Sequence, residues 1–190
     1  RLILVPFAKI EKVIPKEGKI LDLGCGNGLF CHFMYLNSRK RSIIGVDIDE
    51  NRVRVAQQTV NGECPMQFTC GDVNTITLHN TKIVTIIDLL HHMPFKNQEI
   101  LLDKIYKKIE DRSIVVIKDL KKSPTWKYIF HYIHDTLSYK GKKLYFRSSQ
   151  EMMALLEEIG FTVRQYDIDS WNIYPHVVYR CEKNSRVESF

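Results

Sequence analysis

Short apolar runs alternate with longer helical patterns along the first two thirds of the chain, and this alternation constrains the fold more than any other feature. The apolar runs lie at residues 19–23, 42–46, 66–69, 82–88 and 113–118. The helical patterns between them lie at residues 28–37, 50–60 and 98–109. Nearly continuous apolar character is typical of strands that are buried on both faces. The alternation therefore predicts a doubly wound α/β fold, in which helices cover both faces of a mostly parallel sheet.

The end of the chain has a different pattern. A helix is predicted at residues 148–159, with Ser148 as its N-cap and Gly160 just beyond its end. Strands are predicted at 161–168 and 176–181. The connection at 169–175 is shorter than the dozen or more residues that a parallel crossover needs, so we expect this last pair to be antiparallel.

Length and composition narrow the class of protein. At 190 residues the chain is expected to form a single domain, and its 44% hydrophobic and 26% charged residues are ordinary for a soluble protein. The longest apolar run is far shorter than the roughly 20 residues that span a bilayer, and the first residues lack the features of a signal peptide. The five cysteines form no C-x-x-C pair and are expected to be reduced thiols. We therefore expect a cytoplasmic protein.

A basic and aromatic segment interrupts the alternation at about residues 120–147. It contains seven basic residues, one acid and seven aromatic residues, and the net charge of +6 is concentrated there. An anionic partner would be attracted to this segment. The alternative interpretation is a solvated basic helix whose aromatic face is buried.

The sharpest motif is a glycine loop after the first strand, with the spacing Asp22-x-Gly24-x-Gly26-x-Gly28. Glycines permit a tight turn and the close approach of a ligand, and the N-terminus of the following helix favours a negative group. Asp47 comes nineteen residues after Gly28, at the end of the second strand, where a carboxylate can accept both hydroxyls of a ribose. Together these features indicate a cofactor that contains adenosine.

The glycine spacing distinguishes two classes of cofactor. A dinucleotide fingerprint has its third glycine at the position of Leu29, so a nicotinamide oxidoreductase is disfavoured. The loop instead resembles motif I of the class I S-adenosylmethionine-dependent methyltransferases, and the resemblance extends over about residues 5–183. It implies S-adenosylmethionine as the cofactor. It also implies a Rossmann-like sheet of seven strands in the order 3-2-1-4-5-7-6, with an antiparallel last strand.

The same resemblance assigns roles to the cofactor-binding residues. Asp22 is implied to hold the methionine ammonium and Asp47 the ribose, with Ile48 beside the adenine. Asp88, at the end of the fourth strand, is implied to lie near the sulfonium. The remaining cofactor-binding residues are implied to be Gly24, Cys25, Gly26, Gly28, Asp72 and Val73, the last two beside the adenine.

Histidines supply the candidate catalytic groups. His91 and His92 follow the fourth strand, and an imidazole with a pKa near 6.5 could take a proton from an acceptor hydroxyl. Hydrogen bonding within the loop is the alternative role for both. A third candidate, His134, belongs to a polar set within the basic segment that also contains His131, Asp135 and Tyr139. Such spacing is common on solvated helix faces, so no metal site is predicted.

The resemblance and the basic segment together lead to a hypothesis about the acceptor. The segment at about 120–147 lies where this family builds its substrate lid, and the sequence Asp88-Leu89-Leu90-His91 stands where enzymes that methylate exocyclic amines carry Asn/Asp-Pro-Pro-Tyr/Phe. We therefore expect methyl transfer to an oxygen or carbon of a small-molecule, lipid-like or carrier-bound acceptor, with peripheral membrane contact possible. The alternatives are an RNA methyltransferase and a non-catalytic module that binds S-adenosylmethionine.

Overall fold

The structure is a computed structural model that describes residues 6–60, 62, 64–76, 78, 81–120, 143–168 and 176–184. The strands are β1 (Gly18–Leu23), β2 (Arg41–Asp47), β3 (Met66–Cys70), β4 (Ile83–Ile87), β5 (Ile114–Leu120), β6 (Phe161–Asp167) and β7 (His176–Lys183). The helices are α1 (Phe7–Glu11), α2 (Leu29–Asn37), α3 (Glu50–Gln58), α4 (Phe95–Lys108) and α5 (Ser149–Ile159), with a 3₁₀ turn at Leu90–His92.

The strands form one sheet in the order β3-β2-β1-β4-β5-β7-β6. The first five strands pair in parallel, whereas β7 pairs antiparallel with both β5 and β6. This confirms the predicted doubly wound sheet, its strand order and its antiparallel end. The chain reverses its direction of travel across the sheet between β1 and β4, and ligands of such sheets bind outside the carboxyl ends of the strands at this point.

Two apolar clusters, one on each side of the sheet, make up most of the core. One joins α4 and α5 to the sheet and includes Leu101 and Leu156. The other joins α1, α2 and α3 to the sheet and includes Ile10, Met34 and Val53. The carboxyl ends of the central strands remain uncovered between these layers, which leaves room there for a ligand.

A buried ion pair attaches α1, a helix that the sequence analysis did not predict, to the rest of the domain. Arg41 begins β2 with a fully buried side chain and donates to Glu11 Oε1 at 2.9 Å. The same guanidinium donates to the backbone oxygens of Pro15 at 2.8 Å, Met34 at 2.8 Å and Ile14 at 3.1 Å. Because these bonds satisfy every donor nitrogen of Arg41, the charge is tolerated in the core.

Several predicted boundaries are confirmed and one is wrong. Ser148 caps α5 in a capping box with Glu151, and Gly160 follows the helix with a left-handed φ of 114°. Helix α4 begins at Phe95 rather than at residue 98, because Pro94 at its N-cap supplies the start signal ahead of the first apolar positions.

Part of the basic segment lies outside the described residues. Residues 121–142 are among the positions that the structure does not describe, and His134 with its neighbours His131, Asp135 and Tyr139 falls there. The single-domain assignment of 1–190 and the lid at about 120–147 stay predictions. In the described part of the chain, no helix has the length and apolar character needed to cross a membrane.

Candidate functional site

A cavity of about 520 Å³ opens at the carboxyl ends of β1, β2 and β4. The residues predicted from the sequence that line it are Asp22, Gly24, Cys25, Gly26, Asp47, Ile48, Asp88 and His92. Phe7 and Phe30 form part of its wall, with ring centroids 4.9 Å apart. The sheet therefore brings most of the predicted site together at its switch point.

The glycine loop has a left-handed backbone at three positions. Gly24, Gly26 and Gly28 have φ values of 78°, 55° and 76°. A Cβ on Gly28 would lie 2.6 Å from Cζ of Phe68, so this glycine is required by packing. Gly28 does not line the cavity. The position of Phe68 gives this glycine a structural role, and its contact with the cofactor stays a prediction.

Asp47 joins the loop to β2. Its Oδ2 accepts a hydrogen bond from the Gly26 N–H at 2.8 Å, and its Oδ1 accepts one from the Asp49 N–H at 2.9 Å. Each carboxylate oxygen has a second lone pair, so two further hydroxyl donors can still be accepted. Asp47 thus lines the cavity with a carboxylate that can still accept hydrogen bonds from hydroxyl groups.

Asp22 is a buried carboxyl in the floor of the cavity, with 2% of its surface exposed. It accepts hydrogen bonds from Thr85 Oγ1 at 2.6 Å and from Cys31 Sγ at 3.1 Å. Burial raises the pKa of Asp22 to about 6, although both hydrogen bonds act in the opposite direction. A cationic ligand beside this carboxylate would offset the cost of its burial.

The predicted adenine contacts are divided between the cavity rim and the core. Ile48 lines the cavity and exposes 74% of its surface, so an apolar side chain is available to a flat ring. Asp72 is exposed and uses Oδ1 to accept from the N–H and the side-chain amide of Asn74. Val73 turns its side chain into the apolar core. Neither Asp72 nor Val73 lines the cavity, because the turn after β3 carries them past its edge.

Cys25 also lines the cavity but is held as a thiol. Burial and the nearby carboxylates of Asp22 and Asp47 raise its pKa well above the usual range. A nucleophilic role for Cys25 is therefore disfavoured, which agrees with its placement as a loop residue.

Asp88 lies at the opposite end of the cavity with an unusual backbone conformation, a φ of 53°. Its Oδ1 accepts from Lys118 Nζ at 2.5 Å, and Lys118 is 1% exposed. Burial acts to raise the pKa of Asp88, but the charges of Lys118 and His91 outweigh it and lower the pKa below its usual value. The carboxylate is thus fixed in its ionised form.

The two neighbouring histidines have different surroundings. His91 is buried, and its Nδ1 lies 2.6 Å from Asp119 Oδ1. Burial alone would lower the pKa of His91, but attraction to Asp119 raises it above the usual value. His92 lines the cavity, and burial together with the charge of His91 lowers its pKa to about 4. The structure therefore places neutral His92, and not His91, where a ligand can be reached.

Lys118 and Asp119 complete a group of buried charges that the sequence analysis missed. Oxygen and nitrogen atoms of Asp88, His91 and Asp119 lie within 4.8 Å of one another, a set of donors that could hold a metal ion. Lys118 already supplies a cation to Asp88, and Asp119 already accepts from His91 and from the Leu120 N–H. Because Asp88, His91 and Asp119 already bond to one another or to Lys118, we interpret the group as a network of paired charges and not as a metal site.

A buried amide joins this wall to the segment that returns from the undescribed residues. Gln98 Nε2 lies 3.0 Å from the backbone oxygens of Leu90, Met93 and Tyr145. Its Oε1 accepts from Arg147 Nε at 3.0 Å. The sequence analysis did not predict these hydrogen bonds of Gln98, although an amide among the apolar positions of α4 could have indicated a buried polar contact. Gln98 thus connects the 3₁₀ turn that contains His92 to residues 143–147.

Comparison with known proteins identifies similar sequences. Residues 3–166 match the family model described as a methyltransferase domain. Carboxy-S-adenosyl-L-methionine synthase from Actinobacillus succinogenes is 27% identical over 114 residues, which cover 57% of this chain and 47% of that protein. The protein of the same name from Mannheimia succiniciproducens is 25% identical over the same length. The chain spans about half the length of the curated relatives it matches.

Solved structures share the fold. Human N-acetylserotonin methyltransferase in complex with SAM has a TM-score of 0.74 and 18% identity, covering 95% of this chain and 52% of that one. Magnesium protoporphyrin IX methyltransferase from Synechocystis PCC 6803, with bound SAH, has a TM-score of 0.70 and 17% identity, covering 96% and 80%. At these identities the likeness concerns the fold alone.

Proposed function

Because this chain belongs to the class I S-adenosylmethionine-dependent methyltransferase family, with S-adenosylmethionine as its cofactor, we propose that it methylates an oxygen or carbon of a small-molecule, lipid-like or carrier-bound acceptor. The observation that carries this proposal is the position of His92. A neutral imidazole lies in the same cavity as the glycine loop, at the end away from Asp47.

The proposed cofactor pose follows the charges of the cavity. Asp47 would accept the ribose hydroxyls, and Ile48 would cover the adenine at the rim. Asp22 would pair with the methionine ammonium, because a neighbouring cation offsets the cost of burying its carboxylate. The sulfonium would then lie toward Asp88 and His92. These roles are supported by the surroundings of each side chain and by the family motif.

The proposed reaction is an in-line displacement at the methyl carbon. A lone pair of the acceptor forms the new bond to carbon, the electrons of the carbon–sulfur bond pass to sulfur, and S-adenosylhomocysteine leaves. An acceptor that starts as O–H or C–H loses its proton, and we assign neutral His92, which lines the cavity, as the group that accepts it while the new bond to carbon forms. The sulfonium is already activated, so alignment and exclusion of water supply most of the acceleration.

The relatives support a second candidate. Proteins named carboxy-S-adenosyl-L-methionine synthase match 114 residues of this chain, so the cofactor itself could be the molecule that is modified. Mass spectrometry of S-adenosylmethionine after incubation with the protein decides between the candidates. A product that carries an added carboxylate favours the second, and S-adenosylhomocysteine with a methylated acceptor favours the first.

The test of the proposed function separates cofactor binding from chemistry. Asp47→Ala should weaken S-adenosylmethionine about 10- to 100-fold in calorimetry, since charged hydrogen bonds to the ribose are lost. Asp103→Asn, at an exposed acid on α4, is the matched control and should bind normally. His92→Asn should retain the cofactor and slow methyl transfer to acceptors drawn from lipid, small-molecule, acyl-carrier and RNA fractions.

Three outcomes would contradict the proposal. Unchanged affinity in Asp47→Ala would remove the ribose role. Transfer to RNA alone would replace the proposed acceptor class, while cofactor binding with transfer to no fraction would favour the non-catalytic module.

A further inference from the structure

Lys143 differs from Arg52, the other cation that lines the cavity. The charged lining residues are Asp22, Asp47, Asp49, Arg52, Asp88 and Lys143. Arg52 Nε lies 3.3 Å from Asp49 Oδ2 and is therefore paired. Across the described ranges of the chain, no carboxylate lies within ion-pair distance of Lys143, whose ammonium is 5.3 Å from the centroid of the Tyr145 ring. Within the described residues, Lys143 is thus a cation that lines the cavity and has no paired carboxylate.

The charge balance of the cavity indicates what Lys143 would bind. Two of the lining carboxylates are already paired with cations, one with Arg52 and the other with Lys118. The carboxylates that remain are Asp22 and Asp47. With Lys143 they leave one net negative charge, which matches the single net positive charge of S-adenosylmethionine. In the proposed pose the ammonium would face Asp22, the ribose would face Asp47, and a carboxylate would face Lys143.

The backbone that carries Lys143 is held in place. Two residues further along, the Tyr145 N–H donates to the backbone oxygen of His91 at 2.8 Å, and the Tyr145 oxygen accepts from Gln98. The rings of Tyr145 and Phe95 meet edge to face at 5.6 Å between centroids. The chain therefore brings Lys143 to the cavity from beside the 3₁₀ turn that contains His91 and His92.

We propose that Lys143 is the carboxylate-binding residue of the cavity. The inference rests on the proposed function, because it assumes that the cavity holds S-adenosylmethionine. A carboxylate can come from two sources, the methionine part of the cofactor or an acidic acceptor. Both present the same chemistry to an ammonium, and the experiment separates them.

The first arm compares S-adenosylmethionine with decarboxylated S-adenosylmethionine by calorimetry. If the cofactor supplies the carboxylate, Lys143→Met weakens S-adenosylmethionine about 5- to 10-fold and changes the decarboxylated compound less than about twofold. Lys143→Arg keeps the charge and should restore most of the affinity. Lys12→Met is the matched control, since Lys12 is an exposed lysine that does not line this cavity.

The second arm tests an acidic acceptor with benzoate and its uncharged analogue benzamide. Binding to the protein saturated with S-adenosylhomocysteine is measured by ligand-observed NMR. If the acceptor supplies the carboxylate, the unaltered protein prefers benzoate, and Lys143→Met removes that preference. Added salt should weaken the preference in the unaltered protein only.

The outcomes separate the inference from the proposed function. The carboxylate role would be overturned if a normally folded Lys143→Met protein kept two affinity ratios of the unaltered protein. These are the ratio of S-adenosylmethionine to its decarboxylated form and the ratio of benzoate to benzamide. Failure of the unaltered protein to bind S-adenosylmethionine and S-adenosylhomocysteine would overturn the proposed function instead. The benzoate comparison on the unliganded protein would then still decide the role of Lys143.

Discussion

Replacement of Asp22 by asparagine should change stability and cofactor affinity in opposite directions. The pKa of Asp22 is raised from 3.8 to about 6, so the folded protein disfavours its charged form. A shift of about two pKa units corresponds to about 3 kcal/mol. The asparagine side chain carries no charge, and its oxygen can keep the hydrogen bond from Thr85. Asp22→Asn should therefore stabilise the unliganded protein by about 1–3 kcal/mol at neutral pH.

The sign of this effect depends on pH. Below about pH 3.8 the carboxyl is protonated in both the folded and the unfolded state, so the variant has no advantage. As the pH rises from 3.8 to about 6, the Asp22 carboxyl ionises in the unfolded state but stays largely protonated in the folded state. The stability of the unaltered protein therefore falls relative to that of the variant. Above about pH 6 the full difference is present. The advantage of Asp22→Asn should therefore grow from pH 4 to pH 7 and then remain constant.

Cofactor binding should respond in the other direction. The ammonium of S-adenosylmethionine needs the ionised carboxylate, so Asp22→Asn should weaken the cofactor about 10- to 100-fold at pH 7. In the unaltered protein about nine tenths of the Asp22 carboxyls are charged at pH 7 and about one tenth at pH 5, so affinity should fall about tenfold over that range. The affinity of the variant should be nearly independent of pH.

Urea unfolding and calorimetry from pH 4 to pH 8 measure both effects. Asp103→Asn again serves as the control, because that acid is exposed and lies on α4 away from the cavity. An Asp22→Asn protein that is less stable at pH 7 would refute the burial argument. A variant that binds S-adenosylmethionine as well as the unaltered protein does would refute the ammonium role.

Two further replacements test the packing that shapes the site. Gly45→Ala would place a Cβ 2.6 Å from Phe68 Cδ1 and should cost about 1–3 kcal/mol in urea unfolding, and adding Phe68→Leu should recover part of that loss. If the Gly45→Ala/Phe68→Leu variant recovers none of the lost stability, the contact with Phe68 is not the cause of the loss. Arg41→Met removes one of the two cations that face the buried Glu11 carboxylate, leaving Lys16, and it also removes the donors to three backbone oxygens. It should cost about 3–5 kcal/mol, and adding Glu11→Gln should recover part of that loss. Equal losses in the single and double variants would contradict this account.

The parallel core of the sheet and its antiparallel end could be predicted because their determinants are local, whereas the strand order was implied by the resemblance of the glycine loop to a known family. The run at 19–23 and the runs at 82–88 and 113–118 are apolar on both faces, and such strands are buried in parallel sheets. The short connection at 169–175 required an antiparallel end. In contrast, α1 could not be predicted, because its attachment depends on Arg41, thirty residues from Glu11 in sequence. A charged residue that begins a strand gives no sign of whether it lies in the core or in solvent.

The candidate site could be predicted at the strand ends but not in the turns between them. Asp22 and Asp47 end neighbouring strands, so the sheet places both at the cavity whatever the connecting loops do. Val73 lies in a turn, and the direction of that turn sends its side chain into the core. His91 and His92 are adjacent in sequence. The 3₁₀ turn decides which of the two rings faces the cavity, and periodicity carries no information about so short an element.

Buried charges next to His92 determine the protonation state of the histidine that faces the cavity. Lys118 and His91 are cations that face two carboxylates, Asp88 and Asp119, so the group is close to neutral when His91 is protonated. Burying charges is costly unless they are paired and hydrogen-bonded, and this group satisfies both conditions. Burial, together with the charge that His91 carries when it is protonated, lowers the pKa of His92, whose ring centroid lies 4.1 Å from that of His91. The network thus keeps His92 neutral, so its ring can accept a hydrogen bond from an acceptor hydroxyl, while the lowered pKa makes it a weaker base than an ordinary histidine.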